Sequence, residues 1–261
     1  MERVEETARR IEDAQARNAA SFAAALLRLD PASGARSLTV GGGVAVYAGR
    51  GSPVSLAVGL LGEVSAADLD RIEEVLGSPA HVELTPHAHP SLARLLGERG
   101  YRVAEWHQML ARPLETALPD GPSTVEVARI ARGDEDFWAR LAAASFLEKD
   151  DVPSAGARSL LPAASAEGVA CFVARLEGQP VGGAAVFVSP SRAAVLSGAG
   201  VLPRYRGLGI QRALIAARLR HAKEMGADVA AGSTLPNSIS QKNLERFGFR
   251  ILYPKVVLVR G

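Results

Sequence analysis

A glycine turn near residue 205 constrains this chain more than any other feature of its sequence. Residues 201–214, VLPRYRGLGIQRAL, read as the end of a strand, a tight turn and the start of a helix. Gly207 and Gly209 lack a Cβ, so the backbone around them can adopt positive φ and bring consecutive N–H groups together. The helix that follows, with apolar Ile210 and Leu214 one turn apart, directs its positive dipole end to the same point. This arrangement favours a diphosphate ligand.

Two common nucleotide-binding patterns do not fit the turn. A nucleoside triphosphate loop needs Gly, four residues, Gly, Lys and Ser or Thr, and the sequence contains no such run. A dinucleotide fingerprint needs a third glycine three residues after Gly209, where this chain has Arg212. Both nucleotide classes are therefore disfavoured.

The remaining pattern is R-x-x-G-x-G at residues 204–209, preceded by Leu-Pro. It resembles the acyl-coenzyme A signature of the GNAT family of N-acyltransferases. That family also has an Asn one strand later and a helix that ends in Gly-Phe, and both features are present, as Asn237 and as Phe-Gly-Phe at residues 247–249. The resemblance implies a site for acetyl-coenzyme A as cosubstrate.

A coenzyme of this kind would be held mainly by main-chain groups. Its diphosphate would lie on the amides of residues 206–210, and its pantetheine arm would pair with a strand interrupted at Ser197-Gly-Ala-Gly200. By the family match, Asn237 would bind that arm or tie two splayed strands, although Asn237 or Ser238 could also cap the next helix. The candidate coenzyme-binding residues are Gly200, Val201, Leu202, Arg204, Arg206, Gly207, Leu208, Gly209, Ile210 and Asn237.

Catalytic residues cannot be transferred from the family in the same way. Acyl transfer to an amine needs a base or a water chain for the amine proton and an acid for the departing thiolate. Many members carry Glu in the strand before the turn, but that strand has no carboxylate here, only Ser197, and Leu244 replaces a Tyr that often serves as the acid. Glu148, Asp150 and Asp151 could attract a cationic amine, but a solvated acidic loop is the preferred interpretation. The catalytic residues therefore stay unassigned.

The composition indicates neither a nucleic-acid nor a membrane partner. The chain has 261 residues, and its 30 Lys and Arg against 28 Asp and Glu leave a net charge of only +2. Arg9-Arg10 alternates with glutamates, which is typical of a solvated helix and not of a transit peptide. The single cysteine, Cys171, is expected to be a buried small hydrophobe, and the cytoplasm is the expected compartment.

The histidines and tryptophans receive structural interpretations. His87 and His89 offer two imidazoles where zinc needs three or four ligands, so no metal is expected. His107, in a strand, is expected to be a surface or hydrogen-bonded residue. Trp106 and Trp138 are expected in the core.

The two halves of the chain repeat the same order of predicted elements. Residues 96–103, LGERGYRV, align with residues 244–251, LERFGFRI, which places Gly100 opposite Gly248. Residues 59–66 of the first half correspond to the glycine turn of the second. This segment lacks R-x-x-G-x-G and carries Glu63 where a diphosphate would lie. The sequence therefore predicts an internal duplication in which the first half has lost coenzyme binding.

This pattern predicts an α/β fold of two tandem GNAT-like domains, each a mostly antiparallel mixed sheet flanked by helices. The degenerate domain would span residues 1–117 and the catalytic, coenzyme-binding domain residues 118–261, with a polar linker at 115–123. The predicted activity is acetyl transfer from acetyl-coenzyme A to a primary amine of a small molecule or peptide, by a monomer or homodimer. The alternatives are an acyl-coenzyme A binding regulatory module without turnover and an aminoacyl transferase that uses charged tRNA, which the near-neutral charge disfavours.

Overall fold

The computed structural model describes residues 2–149 and 151–261, which form α-helices on both faces of one eleven-stranded sheet. The helices are α1 (Glu2–Leu29), α2 (Ala66–Leu76), α3 (Pro90–Glu98), α4 (Glu135–Phe146), α5 (Ser154–Ala157), α6 (Leu161–Ser165), α7 (Ile210–Glu224) and α8 (Ile239–Arg246). The strands are β1 (Arg36–Val40), β2 (Gly43–Tyr47), β3 (Leu56–Val58), β4 (Ala80–Leu84), β5 (Arg102–Pro113), β6 (Val125–Arg129), β7 (Val169–Leu176), β8 (Gln179–Val188), β9 (Ala193–Val201), β10 (Val229–Thr234) and β11 (Arg250–Arg260). In the described part of the chain, every helix is too short or too polar to cross a bilayer.

Local sequence signals set several helix ends. Ser65 starts α2 with a reciprocal capping box, and Ser238 starts α8 by accepting a hydrogen bond from the Gln241 N–H at 3.2 Å. Gly100 and Gly248 follow α3 and α8 with φ of +73° and +80°. Glycine adopts this left-handed conformation without a Cβ clash, so the two aligned glycines end their helices in the same way.

The strand order of the sheet shows that the two halves exchange their last strands. The order is β1-β2-β3-β4-β11-β5-β10-β9-β8-β7-β6. Each half contributes an antiparallel meander and then a parallel neighbour, β1 to β4 in the first half and β7 to β10 in the second. The last strand of each half then lies beside the other half, because β5 pairs with β10 and β11 pairs with β4. The predicted α/β class is confirmed, with the two sheets joined into one.

The pairing of β5 with β11 at the centre of the sheet follows the internal duplication. Arg250 pairs with Ala111 at one end, and Val259 pairs with Arg102 at the other. The offset that aligns Gly100 with Gly248 also relates Arg102 to Arg250 and Ala111 to Val259. It therefore converts the first pair into the second. The two halves are therefore related by a pseudo-two-fold axis between these antiparallel strands.

Helix α1 crosses the two halves on one face of the sheet. Ala8 and Ile11 pack in a cluster with strands of the second half, and Ala16 and Ala23 pack on β2 and β3 of the first half. Small residues on this face allow the helix to approach both groups of strands closely. This helix is continuous from Glu2 to Leu29 and joins the two halves.

A buried polar network lies under the middle of α1. Glu12 accepts hydrogen bonds from the Tyr253 hydroxyl at 2.5 Å and from the Gln15 amide at 3.0 Å. Lys255 donates to Glu83 at 2.7 Å and to Gln15 at 2.9 Å. Burial raises the pKa of Glu12, although the nearby ammonium group of Lys255 acts in the opposite direction. The network therefore places an ion pair at the junction of the two halves.

One sequence expectation is wrong, and three short elements were not predicted. Trp138 is fully buried as predicted, but Trp106 is 58% exposed, because the first residues of β5 extend beyond the covering helices and are exposed on both faces. The edge strand β6 and the short helices α5 and α6 are not predicted from the sequence. Helices of four and five residues are too short to produce a periodic pattern.

Candidate functional site

The glycine turn connects the end of β9 to the first turn of α7. Gly207 and Gly209 have φ of +84° and +78°, which is the left-handed conformation that the sequence predicted. Within the described residues, no acceptor takes a hydrogen bond from the amides of residues 207–211. The amide of Arg206 donates to the Pro203 carbonyl at 3.2 Å, so the set of free amides begins one residue later than predicted. We call residues 207–211 the cradle, since unpaired N–H groups at a helix start suit an anion.

The equivalent loop of the first half, between β3 and α2, has a different hydrogen-bonding state. The amides of Leu61, Gly62 and Val64 donate to acceptors in the same half at 2.9, 2.8 and 3.0 Å. Glu63 lies exposed in this loop. The loop therefore lacks the run of free amides that the cradle has.

Arg206 links the turn to the end of α4. Its guanidinium donates to the Glu148 carboxylate at 2.8 Å, to the Val201 carbonyl at 3.3 Å and to the Ser145 carbonyl at 3.4 Å. Arg204 lies over the ring of the neighbouring tyrosine, with its guanidinium carbon 5.0 Å from the ring centroid. The arginine side chains thus have protein partners, whereas the cradle amides have none among the described residues.

The acidic residues after α4 are also paired with arginines. Glu148 bonds Arg206, and Asp151 accepts from Arg140 at 2.9 Å, a hydrogen bond that lowers the pKa of this aspartate. Asp150, the third acidic candidate, lies outside the described residues. The preferred interpretation of a solvent-exposed acidic loop therefore fits both described carboxylates.

Strand β9 separates from β10 after a short stretch of pairing. The two parallel strands pair only from Ala193 to Val195 of β9 and from Val229 to Ala231 of β10. The pairing of β9 with β8 shifts register between Gly200 and Ser197, which marks a bulge in β9. The interrupted strand and the gap beside it agree with the sequence prediction.

A buried arginine supports this bulge. Arg218 of α7 is 2% exposed and donates to the carbonyls of Ala185 and Ser197 at 3.3 and 3.4 Å, and to the Leu214 carbonyl at 3.1 Å. Within the described residues it makes no ion pair, and burial lowers its pKa to about 9. Its guanidinium satisfies carbonyls at the bulge and places a positive charge next to the gap.

Two clefts meet where β9 and β10 separate. The α7 cleft, of about 240 Å³, extends from Gln211 in the first turn of α7 past Arg218 to Leu244 of α8. The junction cleft, of about 440 Å³, lies on the α1 face and is lined by residues of both halves. Both clefts are lined by Leu196, Ser197, Gly198 and Ser233. The two clefts therefore adjoin the same gap and share the residues that border it.

The lining of the junction cleft is largely apolar. Phe22 of α1 and Leu160 before α6 contribute from one side, and Leu56 of β3 contributes from the other. Its ionisable side chains are His107 and the Glu83–Lys255 pair described above. The sequence does not place His107 at this cleft, because its neighbours there come from distant strands and produce no local motif.

Asn237 and Leu202, two further predicted residues, lie outside the cradle. Asn237 has φ of +59°, and its N–H donates to the Gln241 side chain at 2.7 Å, while Ser238 provides the cap of α8. Leu202 is buried, and its N–H donates to the Val181 carbonyl at 2.9 Å. No hydrogen bond within the described residues joins Asn237 to the cradle. The predicted roles of these residues in coenzyme binding stay predictions.

The two histidines considered as metal ligands have structural contacts. His87 packs edge-on against Tyr253, with ring centroids 4.9 Å apart, and His89 accepts a hydrogen bond from the Ser91 N–H at the start of α3. Among the described residues, no group of three or more His, Cys, Asp or Glu side chains is placed to hold a metal ion.

Comparisons with solved structures find the same fold. A GCN5-related N-acetyltransferase from Kribbella flavida matches with a TM-score of 0.62 and 22% identity over 92% of this chain and 95% of that chain. Another GCN5-related N-acetyltransferase, from Sphaerobacter thermophilus, has a TM-score of 0.55 and 16% identity over 74% of this chain and 66% of that chain. A tandem GNAT protein from the clavulanic acid biosynthesis pathway has a TM-score of 0.55 and 14% identity over 74% of this chain and 68% of that chain.

The sequence comparisons locate the family match in the second half. No curated protein sequence matches the chain. The model of the Acetyltransferase (GNAT) family matches residues 133–249, a range that contains the cradle, the separated strands and α8. This match supports acyl transfer from an acyl-coenzyme A as the general class of activity. Residues 133–249 therefore form a domain that matches the GNAT family.

Proposed function

We propose that this protein transfers an acetyl group from acetyl-coenzyme A to a primary amine of a small molecule or peptide. The observation that carries the proposal is the cradle, where five adjacent amides lie unpaired, among the described residues, at the start of α7. In this proposal the diphosphate lies on the cradle and the pantetheine arm follows the α7 cleft along the bulge of β9. The thioester then lies at the gap between β9 and β10, beside Ser197 and Ser233.

The junction cleft is the proposed acceptor site. Its volume of about 440 Å³ is in the range of small-ligand sites, so it suits a small amine or the terminal residue of a peptide. Its apolar side chains favour an acceptor whose amine is attached to a compact apolar group. The first half would shape this site without binding coenzyme, because the amides of its own loop already donate hydrogen bonds to acceptors within that half.

Calorimetry with acetyl-coenzyme A tests the proposal with a matched pair of glycine variants. Gly207 and Gly178 have φ of +84° and +76°, and a Cβ at either position would meet open space. Gly178 lies in the turn between β7 and β8, away from the cradle. We expect Gly207→Val and Gly178→Val to lose similar stability from backbone strain, while only Gly207→Val loses coenzyme affinity. Unchanged affinity in Gly207→Val would contradict the cradle assignment.

A second candidate function is acyl-coenzyme A binding without turnover. It is favoured by the side chains at the gap, where β9 and β10 contribute Ser197 and Ser233 and no carboxylate. Incubation with acetyl-coenzyme A and a panel of primary amines, followed by mass spectrometry and thiol detection, separates the two functions. The acetyltransferase gives an acetylated amine and free thiol, whereas the binding module gives only bound ligand.

A further inference from the structure

A histidine of the first half lies at the gap between strands of the second half. The Nδ1 atom of His107 on β5 is 3.4 Å from the Ser233 hydroxyl oxygen of β10. Its Nε2 atom is 2.9 Å from the Glu105 carboxylate. The histidine side chain is 22% exposed and lines the junction cleft. A ring that connects a carboxylate with the gap can accept a proton from a group bound in the cleft.

The two contacts assign different roles to the ring nitrogens. A carboxylate can only accept hydrogen bonds, so the Nε2 that faces Glu105 carries the hydrogen of the neutral ring. Nδ1 then keeps its lone pair and faces Ser233. The geometry is therefore that of a neutral imidazole oriented as a base.

The strand exchange is what brings this histidine to the gap. Lys255 of β11 is the counterpart of His107 under the offset that relates the two halves, and the two residues pair across β5 and β11. Because β5 and not β11 lies beside β10, the histidine occupies the position next to Ser233. Lys255 is buried instead and bonds Glu83 at 2.7 Å.

We propose that His107 is the base of the acetyl transfer, with Ser233 passing the proton and Glu105 orienting the ring. The inference rests on the proposed function. Among the side chains that line the junction cleft, His107 is the ionisable group outside the Glu83–Lys255 ion pair. The first half would then contribute to the reaction as well as to acceptor binding.

The proposed step conserves protons and electron pairs. Nδ1 of His107 receives one proton from the acceptor ammonium group through the Ser233 hydroxyl, which leaves a nitrogen lone pair free. That lone pair forms a bond to the thioester carbonyl carbon, and the carbon–sulfur bond breaks with its electron pair on sulfur. A second proton from the nitrogen moves to the sulfur, which gives the amide and the free thiol. The imidazolium then returns its proton to solvent.

Kinetics of the full-length protein with one accepted amine test this role. In His107→Gln we expect kcat to fall roughly 100-fold or more, because glutamine can bond Glu105 but cannot take the proton. The Kd for acetyl-coenzyme A should stay within about two-fold, since His107 lies outside the α7 cleft. His89→Gln is the matched control, because this histidine lies at the start of α3 and outside both clefts, and its kcat should equal that of the wild type.

Chemical rescue separates a base from a merely structural residue. Added imidazole should restore part of the activity of His107→Ala and leave that of the wild type unchanged. A His107→Gln variant with wild-type kcat would overturn the inference and leave the proposed acetyl transfer intact. A wild-type protein that binds acetyl-coenzyme A but acetylates no amine would overturn the proposed function and this inference together.

Discussion

Gly209 lies directly against Pro122, so that a Cβ on the glycine would be 2.7 Å from the proline Cγ. Pro122 belongs to the coil that joins β5 to β6. Gly121 beside it packs on α7, where a Cβ on this glycine would be 2.7 Å from the Cα of Ala213. The segment between the two halves therefore packs on the start of α7, next to the cradle. Gly209 is required both for its positive φ and for this contact.

Substitution of Gly209 by Ala should reduce both stability and coenzyme affinity. The left-handed backbone and the contact with Pro122 each contribute, and together they should lower the free energy of unfolding by about 2 kcal/mol or more. The Pro122→Ala background should remove the steric part and leave the backbone part. Urea denaturation of the two single variants and the double variant measures this coupling. Additive effects would show that the contact does not matter.

Cleavage of the segment between the halves should leave them associated. Because β5 lies beside β10 and β11 beside β4, separation would break two strand pairings together with the pairing of β5 to β11. We expect a chain cut at a protease site inserted near residue 118 to elute as one species in size-exclusion chromatography. Two separate folded fragments under native conditions would contradict the exchange of strands.

The stability of the protein should depend on pH through Glu12. Burial raises its pKa above the ordinary value of 4.5, so the folded state favours the neutral carboxyl group. The stabilising contribution of this group is present below pH 4.5 and is lost as the pH rises through the folded-state pKa. As the pH rises from 4.5 to 7, the free energy of unfolding of Glu12→Gln should therefore increase relative to that of the wild type. Denaturant titrations across this range measure the difference, and a constant difference would argue against a raised pKa.

The thiol of Cys171 should be unreactive in the folded protein. It is 3% exposed on β7, and burial raises its pKa to about 12, so the thiolate is scarce at neutral pH. We expect labelling by a disulfide reagent to be slow in the native state and fast in denaturant. If acetyl-coenzyme A binds the folded state, it should slow the labelling further by mass action. Rapid native-state labelling that the coenzyme does not affect would contradict the expected burial.

The parts of the fold that follow from consecutive residues were predictable. Ser65 caps α2, Gly100 and Gly248 end aligned helices, and Gly207 has the left-handed conformation expected in the turn. In each case the conformation depends on the backbone freedom of one residue or on a hydrogen bond to a residue a few positions away. These helix ends and this turn conformation could therefore be predicted from local sequence.

The exposure of Trp106 and the surroundings of His107 could not be predicted in the same way. Both residues lie on β5, and the sequence contains no signal that this strand pairs with β10 of the other half. A meander predicts its own neighbours because its turns are short, whereas an exchanged strand is placed by contacts far away in the chain.

The sequence by itself determined the duplicated order of elements and the conformation of the glycine turn, since both depend on local periodicity and on residues without a Cβ. Only the tertiary structure decided which half supplies the side chains around the gap. That outcome depends on long-range strand pairing, which places His107 of one half 3.4 Å from Ser233 of the other.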